Sequence, residues 1–358
     1  MRRWLWIVAV AACGGDPRDA APDAAQPGVE AGTDASSDAG VDATPAAPWA
    51  NVATGRGHAC GIHGDGSLYC WGYGLTSTPT EVAPGTTWSS VSLSYGIGDF
   101  GLRPDGTLWE TAPLMQMGDA TWRSIATVGD GLCGIHSDGT LWCTGWSYIG
   151  GFGVSTDGSD VQMAPGADWA TVDGAGDVML ATKTDGTVWW WGHDASLTLG
   201  YDALKATQAT TGGASWAQLG LGDFTRLAGI HTDGTLWRWH DVGDLAGTPP
   251  IQIGTDTDWI EIAAEAYHSC ARKADATVWC WGFPDEGALG NGSWTGAFTS
   301  TPVQAGTAGF ASITAGDGSF SCGLRTDATI ECWGDNEWGQ LGTGTDAPFI
   351  AVPTQIAL

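Results

Sequence analysis

The sequence predicts an all-β fold, a seven-bladed β-propeller of four-stranded blades preceded by a disordered tether. A hairpin motif recurs seven times, each copy lies in a longer repeat with four short strand patterns, and residues 14–48 contain almost no residue that could enter a core. Such small sheets bury their apolar faces only by packing on their neighbours in a closed ring. The repeats leave open which terminal strand closes that ring.

The recurring hairpin is eleven residues long, and its clearest copy is CGIHGDGSLYC, Cys60 to Cys70. Apolar residues alternate on either side of an Asp-Gly or Asp-Ala step, which indicates two short strands joined by a tight turn. In the copy at 103–107, Pro, Asp and Gly in succession fit a type I turn followed by a left-handed glycine. The seven turn aspartates are Asp65, Asp105, Asp138, Asp185, Asp233, Asp275 and Asp327.

Four of the seven hairpins begin and end with cysteines ten positions apart. The turn centres the pairing on the aspartate, which places the two cysteines opposite each other at a non-hydrogen-bonded position. There the Cα atoms approach to about 4.5 Å, a distance that a disulfide can span. A reduced hairpin and a zinc site are the alternatives, but the ligand spacings of zinc sites do not occur, and no metal site is predicted. The predicted disulfides are Cys60–Cys70, Cys133–Cys143, Cys270–Cys280 and Cys322–Cys332.

The N-terminal region indicates export. Residues 1–12 combine two arginines with a nine-residue apolar run, too short for a permanent membrane span, and predict a signal peptide. The segment ValAlaAlaCys at 10–13 resembles the lipobox of bacterial lipoproteins, which implies that Cys13 is lipidated; an ordinary cleaved signal is the alternative. Residues 13–48, rich in Asp, Ala and Pro, are predicted to be a disordered tether. We therefore expect a lipid-anchored protein of the cell envelope, periplasmic or on the outer cell surface.

The charge of the chain excludes one class of partner. Lys and Arg number 13 against 40 Asp and Glu, a formal net charge of −27. A nucleic-acid-binding protein needs a basic surface, so no nucleic acid partner is expected. Contact with a membrane is expected only through the lipid anchor.

The repeat array covers residues 49–358. Each repeat opens with an aromatic residue sixteen or seventeen positions before its turn aspartate, and these residues are Trp49, Trp88, Trp122, Trp169, Trp216, Trp259 and Phe310. Apolar residues three before and three after each aspartate, such as Ile62 and Leu68, are predicted to form the core between blades. Thr182 and Arg272 interrupt this pattern, so we expect less apolar interfaces there.

These motifs resemble the regulator of chromosome condensation repeat family. The resemblance rests on HisAlaCysGlyIle in the first repeat, the TrpGly step after the hairpin, and the loop AspAsnGluTrpGlyGlnLeuGly at 335–342. It implies a seven-bladed propeller but does not fix a function. The member that gave the family its name is a nuclear exchange factor that also binds nucleosomes, a role that does not suit an acidic exported chain. Another branch resembles a secreted bacterial propeller that inhibits β-lactamases through an aromatic-rich loop face.

Most of the 22 tryptophans occupy repeat positions and are predicted to be scaffold. The aromatic residues of the variable loops are different, because exposed aromatics on one face are typical anchors of protein or glycan contacts. We predict that the binding surface contains Tyr73, Trp146, Tyr148, Phe152, Phe283, Trp294, Phe298 and Trp338.

Catalysis is not predicted. Five of the seven histidines stand at repeat positions, and no nucleophile motif such as GxSxG is present. We expect a non-catalytic, monomeric lipoprotein without a cofactor that presents its loops to a protein ligand, as an adhesion or inhibitor-like module. The alternatives are a glycan-binding propeller and a hydrolase or lyase with its site in the central shaft.

Overall fold

The computed structural model describes residues 48–94, 98–128, 131–145, 161–175, 178–192, 207–208, 216–222, 226–239, 249–265, 267–316 and 318–357. Ala47–Leu358 forms one compact unit. Cys13 and the predicted signal peptide lie outside the described residues, as does the predicted tether apart from Pro48. None of the described residues belongs to a helix long and apolar enough to cross a membrane.

The strands lie in six antiparallel sheets, which follow one another along the chain. The sheet of repeat 1 contains β1 (Trp49–Thr54), β2 (His58–His63), β3 (Leu68–Gly72) and β4 (Thr80–Val82). The next sheet contains β5 (Ser90–Ser92), β6 (Phe100–Leu102), β7 (Thr107–Thr111), β8 (Leu114–Val128), β9 (Gly131–His136), β10 (Leu141–Gly145) and β11 (Val161–Ala164).

Each of the remaining four repeats forms a four-stranded sheet in chain order. Repeat 4 contains β12 (Trp169–Ala175), β13 (Val178–Lys183), β14 (Val188–Gly192) and β15 (Thr207–Gln208). Repeat 5 contains β16 (Trp216–Gly222), β17 (Arg226–His231), β18 (Leu236–Arg238) and β19 (Ile251–Ile253). Repeat 6 contains β20 (Trp259–Ala264), β21 (His268–Lys273), β22 (Val278–Gly282) and β23 (Thr299–Ala305), with a 3-10 helix at Asp285–Gly287. Repeat 7 contains β24 (Phe310–Gly316), β25 (Phe320–Arg325), β26 (Ile330–Asp335) and β27 (Phe349–Gln355).

The prediction of four-stranded propeller blades is confirmed for five repeats, but the prediction of seven separate blades is wrong. Repeats 2 and 3 share one seven-stranded sheet, because the 15-residue strand β8 belongs to both. Its first part pairs with β7, and from Trp122 onwards it pairs with β9. The connection between the two repeats contains an irregularity between Gln116 and Thr121, where Gly118 has a φ of 70°, but Thr121 still pairs with Thr107, so the strand continues across it.

The first and last repeats are in contact, which closes the array into a ring. The N–H of Trp49 donates to the carbonyl of Ala328 at 3.1 Å. The hydroxyls of Thr54 and Thr314 lie 2.7 Å apart. Among the described strands, each terminal sheet contains those of its own repeat alone, so these residues close the ring by packing, without exchange of a terminal strand.

The core lies mainly between neighbouring repeats, as predicted. Ile62 pairs with Leu68, and both pack with Trp88 of the following repeat. Thr182 and Arg272, which interrupt the apolar pattern, form polar contacts instead. The Thr182 hydroxyl is hydrogen-bonded to that of Thr171 at 2.6 Å, and Arg272 forms an ion pair with Glu261 at 2.6 Å. The packing of each repeat on the next explains why the opening aromatic recurs.

The four predicted disulfides are confirmed. In each hairpin the paired cysteines lie opposite each other with Cα atoms 4.0 to 4.1 Å apart, close to the spacing of a non-hydrogen-bonded pair. Paired cysteines persist in oxidising compartments, so the disulfides indicate an oxidising environment.

Candidate functional site

The ring has two faces with different chemistry. The turn face carries the seven Asp turns, which lie beside the start of the first strand of each repeat; Gly64 N–H, for example, donates to the carbonyl of Pro48 at 2.8 Å. The loop face is the opposite side, where the first and third strands of each repeat end. There Tyr73 N–H donates to the Gly57 carbonyl at 2.7 Å, and Phe283 N–H to that of Tyr267 at 3.0 Å.

The carboxylates of the turn aspartates accept hydrogen bonds from within their own turns. Asp105, as an example, accepts hydrogen bonds from the hydroxyl of Thr107 at 2.7 Å and from its N–H at 3.0 Å. These bonds lower the pKa of the carboxyl, and the equivalent bonds do so at all seven positions. In five repeats a tryptophan four positions after the aspartate donates its indole N–H to the same hydroxyl. The regular turn face is therefore scaffold.

A basic or imidazole side chain stands two residues before each turn aspartate, in contact with the opening aromatic of its repeat. In three repeats it is a histidine, as predicted for a structural position: His136 lies 4.1 Å from Trp122 and 5.2 Å from Trp142, measured between ring centroids. The other members are cations, such as Arg103, 3.7 Å above the ring of Trp109. The full set is His63, Arg103, His136, Lys183, His231, Lys273 and Arg325.

The loop face carries the predicted binding aromatics that lie within the described residues. Trp294 stacks on Phe349 at 5.5 Å between centroids, and Phe283 meets Phe298 edge to face at 5.3 Å. Trp294 is 54% exposed and Phe298 43%. Trp146, Tyr148 and Phe152 lie outside the described residues.

A further aromatic pair joins repeats 1 and 7. The rings of Tyr73 and Trp338 meet edge to face with centroids 5.0 Å apart, although 265 positions separate them in the sequence. Tyr73 is 60% exposed and Trp338 45%, and exposed Leu75 lies near them. Closure of the ring thus brings together two residues that the sequence analysis could only assign separately.

A pocket of about 580 Å³ lies beside this pair and is called here the loop-face pocket. It is lined by Leu75, Ser77, Asn336, Glu337, Trp338, Gly339, Thr345, Asp346 and Pro348. The lining contains two carboxylates and no lysine or arginine. Arg56, the nearest cation along repeat 1, is exposed on the loop between β1 and β2 and is not part of the lining.

Buried amides hold the wall of this pocket in place. The Asn336 side-chain N–H groups donate to the carbonyls of Thr345 at 3.2 Å and Ala347 at 2.8 Å, and its Oδ1 accepts from the N–H of Leu341. Gln340 donates to Asp335 at 2.8 Å and accepts from the Trp338 N–H at 2.8 Å. The loop that carries the family-like motif is therefore a rigid support for Trp338.

The central channel is a second cavity, of about 850 Å³, lined by the first strands of the repeats. Asp173 on β12 is partly accessible through it, and the surrounding inner strands withdraw the carboxyl from bulk water. This burial raises the pKa of Asp173 to about 6, although Asp173 accepts hydrogen bonds from the N–H groups of Gly174 and Leu221. The second bond links repeat 4 to repeat 5, so Asp173 also contributes to packing.

Two histidines connect neighbouring repeats. His58 Nε2 lies 3.0 Å from Asp99; burial alone would lower the pKa of His58, but the hydrogen bond and charge of Asp99 outweigh it and raise the pKa. His268 is buried against Ser321, with its Nε2 2.6 Å from the serine Oγ, and burial lowers its pKa to about 4. Both contacts are buried or half-buried between sheets, which indicates structural roles. Among the described residues, no group of three or more His, Cys, Asp or Glu could hold a metal ion.

Three features of the loop face carry no signal in the sequence. Phe349 and Leu75 carry no repeat or motif signal, and their proximity to Trp294 and Trp338 depends on loop conformation. The loop-face pocket depends on contact between the two ends of the array. By contrast, the sequence does contain the signal for the stacked cations, because a His, Lys or Arg stands two residues before each turn aspartate.

Comparison with known proteins identifies the repeat. Residues 49–75 match the regulator of chromosome condensation (RCC1) repeat. This match confirms the resemblance predicted from the sequence and covers the first RCC1-like unit. A stretch of 138 residues is 33% identical to the E3 ubiquitin-protein ligase HERC2 of Homo sapiens and of Mus musculus; the alignment covers 35% of this chain and only 3% of either ligase.

Solved structures share the fold. Human WBSCR16 superposes with a TM-score of 0.60 at 13% identity, covering 87% of this chain and 82% of its own. Prp20p of Saccharomyces cerevisiae, studied for its binding to Gsp1p and histones, gives a TM-score of 0.60 at 16% identity over 87% and 77% of the two chains. The CRINKLY ectodomain of the Arabidopsis thaliana receptor kinase ACR4 superposes with a TM-score of 0.54 at 14% identity, covering 87% of this chain and 98% of its own. At these identities the similarity shows an RCC1-like propeller fold and nothing more specific.

Proposed function

We propose that the chain is a non-catalytic, exported binding module whose loop face docks a protein partner. The observation that carries this proposal is the set of aromatic pairs on one face, Tyr73 with Trp338 and Trp294 with Phe349, of which all but Phe349 are exposed. Partly exposed aromatic side chains on rigid supports are the residues that most often dominate the binding energy of protein interfaces. The turn face offers no comparable set, because its aspartates and the tryptophans beside them are hydrogen-bonded to the same turn threonines.

The proposal is tested by capture of partners from culture fluid and cell-envelope extract on the immobilised chain, followed by mass spectrometry. We expect one dominant protein to be retained by the wild-type chain and lost from the double variant Trp294→Ala/Trp338→Ala. Each tryptophan is about half exposed, so the variant should keep its fold and its melting temperature.

The matched control is Ile251→Ala/Ile260→Ala, which removes two side chains of similar exposure outside the loop face. Equal loss of the partner from both variants, or full retention by the tryptophan variant, would contradict the proposal. Retention of only a polysaccharide, released by free oligosaccharide, would favour the glycan-binding alternative.

We further propose that Cys13 anchors the chain to a membrane through a lipid. The support is the ValAlaAlaCys segment together with the pairing of all eight other cysteines in disulfides. Cys13→Ser should move the protein from the detergent-soluble membrane fraction to the aqueous fraction after export. An unchanged distribution would show that the cysteine carries no anchor.

A hydrolase or lyase in the central channel is the second candidate. The raised pKa of Asp173 is the observation that favours it, because a carboxyl near pH 6 can serve as a general acid or base. Asp173→Asn would abolish such an activity towards envelope polysaccharides. The binding-module proposal instead expects no turnover by the wild-type chain and unchanged partner capture by this variant.

A further inference from the structure

The loop-face pocket differs from the other aromatic contacts of the face because it combines aromatic surface with uncompensated acid groups. Glu337 and Asp346 are both exposed and line the pocket. Within the described part of the chain, neither carboxylate forms an ion pair; the ion pairs found there involve Asp99, Asp168, Asp256, Asp258, Glu261 and Glu331. The pocket is therefore a site of unbalanced negative charge within a strongly acidic molecule.

The side-chain amides of the pocket wall already have hydrogen-bond partners, which limits the ligands that fit. The side chains of Asn336 and Gln340 are committed to the loop backbone and to Asp335. The Thr345 hydroxyl bonds to that of Thr343 at 3.0 Å. What remains is two carboxylates, which only accept hydrogen bonds when ionised, the Ser77 hydroxyl and the indole of Trp338.

Those groups complement a cation. The face of an aromatic ring attracts a cation placed within about 6 Å of its centre, Trp most strongly, and a carboxylate bonds a guanidinium through two parallel N–H groups. Leu75 supplies apolar surface for the aliphatic part of a long side chain. A neutral sugar would also donate its hydroxyls to the carboxylates and stack on the ring, but it would leave the two negative charges uncompensated.

We propose that the loop-face pocket receives an arginine or lysine side chain from a basic segment of the partner protein. This inference rests on the proposed function of the loop face and specifies the chemistry of the partner. Charge complementarity supports the choice, because a chain with a net charge of −27 attracts basic segments at long range.

The test uses a fluorescently labelled peptide of repeated Gly-Ser-Arg units and an otherwise identical peptide in which citrulline, which is isosteric but uncharged, replaces arginine. Binding to the purified chain is measured by fluorescence anisotropy. We expect Glu337→Gln/Asp346→Asn to weaken binding of the arginine peptide about tenfold, the effect of two partly exposed charge contacts. Trp338→Ala should weaken binding of the arginine peptide by a similar factor. The wild-type chain should bind the citrulline peptide no more tightly than these variants bind the arginine peptide.

The control for non-specific attraction is Glu81→Gln/Asp119→Asn, which removes the same number of charges from exposed positions away from the pocket. Equal weakening by both charge variants, or equal binding of the citrulline peptide, would overturn the inference. Binding of N-acetylglucosamine oligomers that depends on Trp338, without binding of the arginine peptide, would also overturn it in favour of a glycan.

Failure of this inference can be separated from failure of the proposed function. If capture of the natural partner requires Trp294 and Trp338 but is unaffected by Glu337→Gln/Asp346→Asn, the loop face binds a protein while the pocket takes no cation. If neither pair of substitutions affects capture, both proposals are wrong.

Discussion

Arg103 lies over the indole of Trp109, with its guanidinium carbon 3.7 Å from the ring centroid and 5.7 Å from that of Trp88. The same position in the other repeats holds a lysine, an arginine or a histidine against the opening aromatic. A partly desolvated cation over an aromatic ring contributes about 0.5 to 2 kcal/mol. Four of the 13 lysines and arginines, Arg103, Lys183, Lys273 and Arg325, therefore pack against aromatic rings of the scaffold.

Replacing Arg103 with alanine should lower the free energy of unfolding by about 1 to 2 kcal/mol, because the cation and its packing on both rings are lost. Arg103→Lys should recover part of the loss. Urea unfolding monitored by circular dichroism measures both variants. If the alanine variant were as stable as the wild-type chain, the stacked cation would contribute nothing to the stability of the fold.

His268 predicts an acid sensitivity of the interface between repeats 6 and 7. Burial lowers its pKa to about 4, whereas a histidine in the unfolded chain titrates near 6.5. Protonation therefore favours unfolding, so this stability is present above about pH 6.5 and is lost as the pH falls towards 4, by about 3 kcal/mol at most.

His268→Asn should remove this dependence, so that the stability difference between wild type and variant shrinks as the pH falls from 6.5 to 4. Asp173 titrates in the same range with the opposite sign, since its pKa is raised, but it is present in both chains and cancels in the comparison. Chemical unfolding at a series of pH values provides the measurement. A difference that is constant with pH would show that His268 does not titrate as its burial implies.

At the scale of the element, the hairpin was the feature best predicted from the sequence. Alternation about the Asp turn fixed the register, and the register placed Cys60 opposite Cys70 and Ile62 opposite Leu68, as found. The fusion of repeats 2 and 3 was not predictable, because it depends on whether residues 118–121 leave the sheet or continue the strand across an irregularity. Repeat patterns specify which strands pair within a repeat more strongly than where one sheet ends.

Each disulfide links cysteines only ten positions apart, so its expected contribution to the free energy of unfolding is modest. The chain-entropy estimate for a loop of this size is about 2 to 3 kcal/mol. Cys60→Ser/Cys70→Ser should therefore lower the melting temperature measurably, and reduction of the wild-type chain should cause a larger fall because all four bridges open. Differential scanning calorimetry compares the three samples. An unchanged melting temperature in the double variant would mean that packing alone determines the stability of this hairpin.

At the scale of the whole molecule, ring closure joins sequence-distant loops into one surface. The sequence singled out Tyr73 and Trp338 as loop aromatics, but only contact between the first and last repeats makes them a pair beside a pocket. The sequence shows which side chains the loops contain. It does not show that the side-chain amides of Asn336 and Gln340 are hydrogen-bonded within their own loop. The candidate site was therefore predictable as a face and as a set of aromatic residues, but not as a pocket of defined chemistry.

The same scale explains why the candidate binding residues lie on one face. The turn face repeats a closed set of hydrogen bonds from turn to turn, which leaves little free to recognise a ligand. The loop face varies between repeats, and its exposed aromatics concentrate in the described part of repeats 1, 6 and 7. Loops positioned by a rigid scaffold are where recognition residues usually lie.

The most direct test of the central claim is hydrogen–deuterium exchange of the chain with and without its captured partner. The account predicts slower exchange at residues 73–78, 283–298 and 335–349 on the loop face, with no change at the Asp turns of the opposite face. Protection confined to the turn face, or to the strands that line the central channel, would contradict the assignment of the loop face as the binding surface.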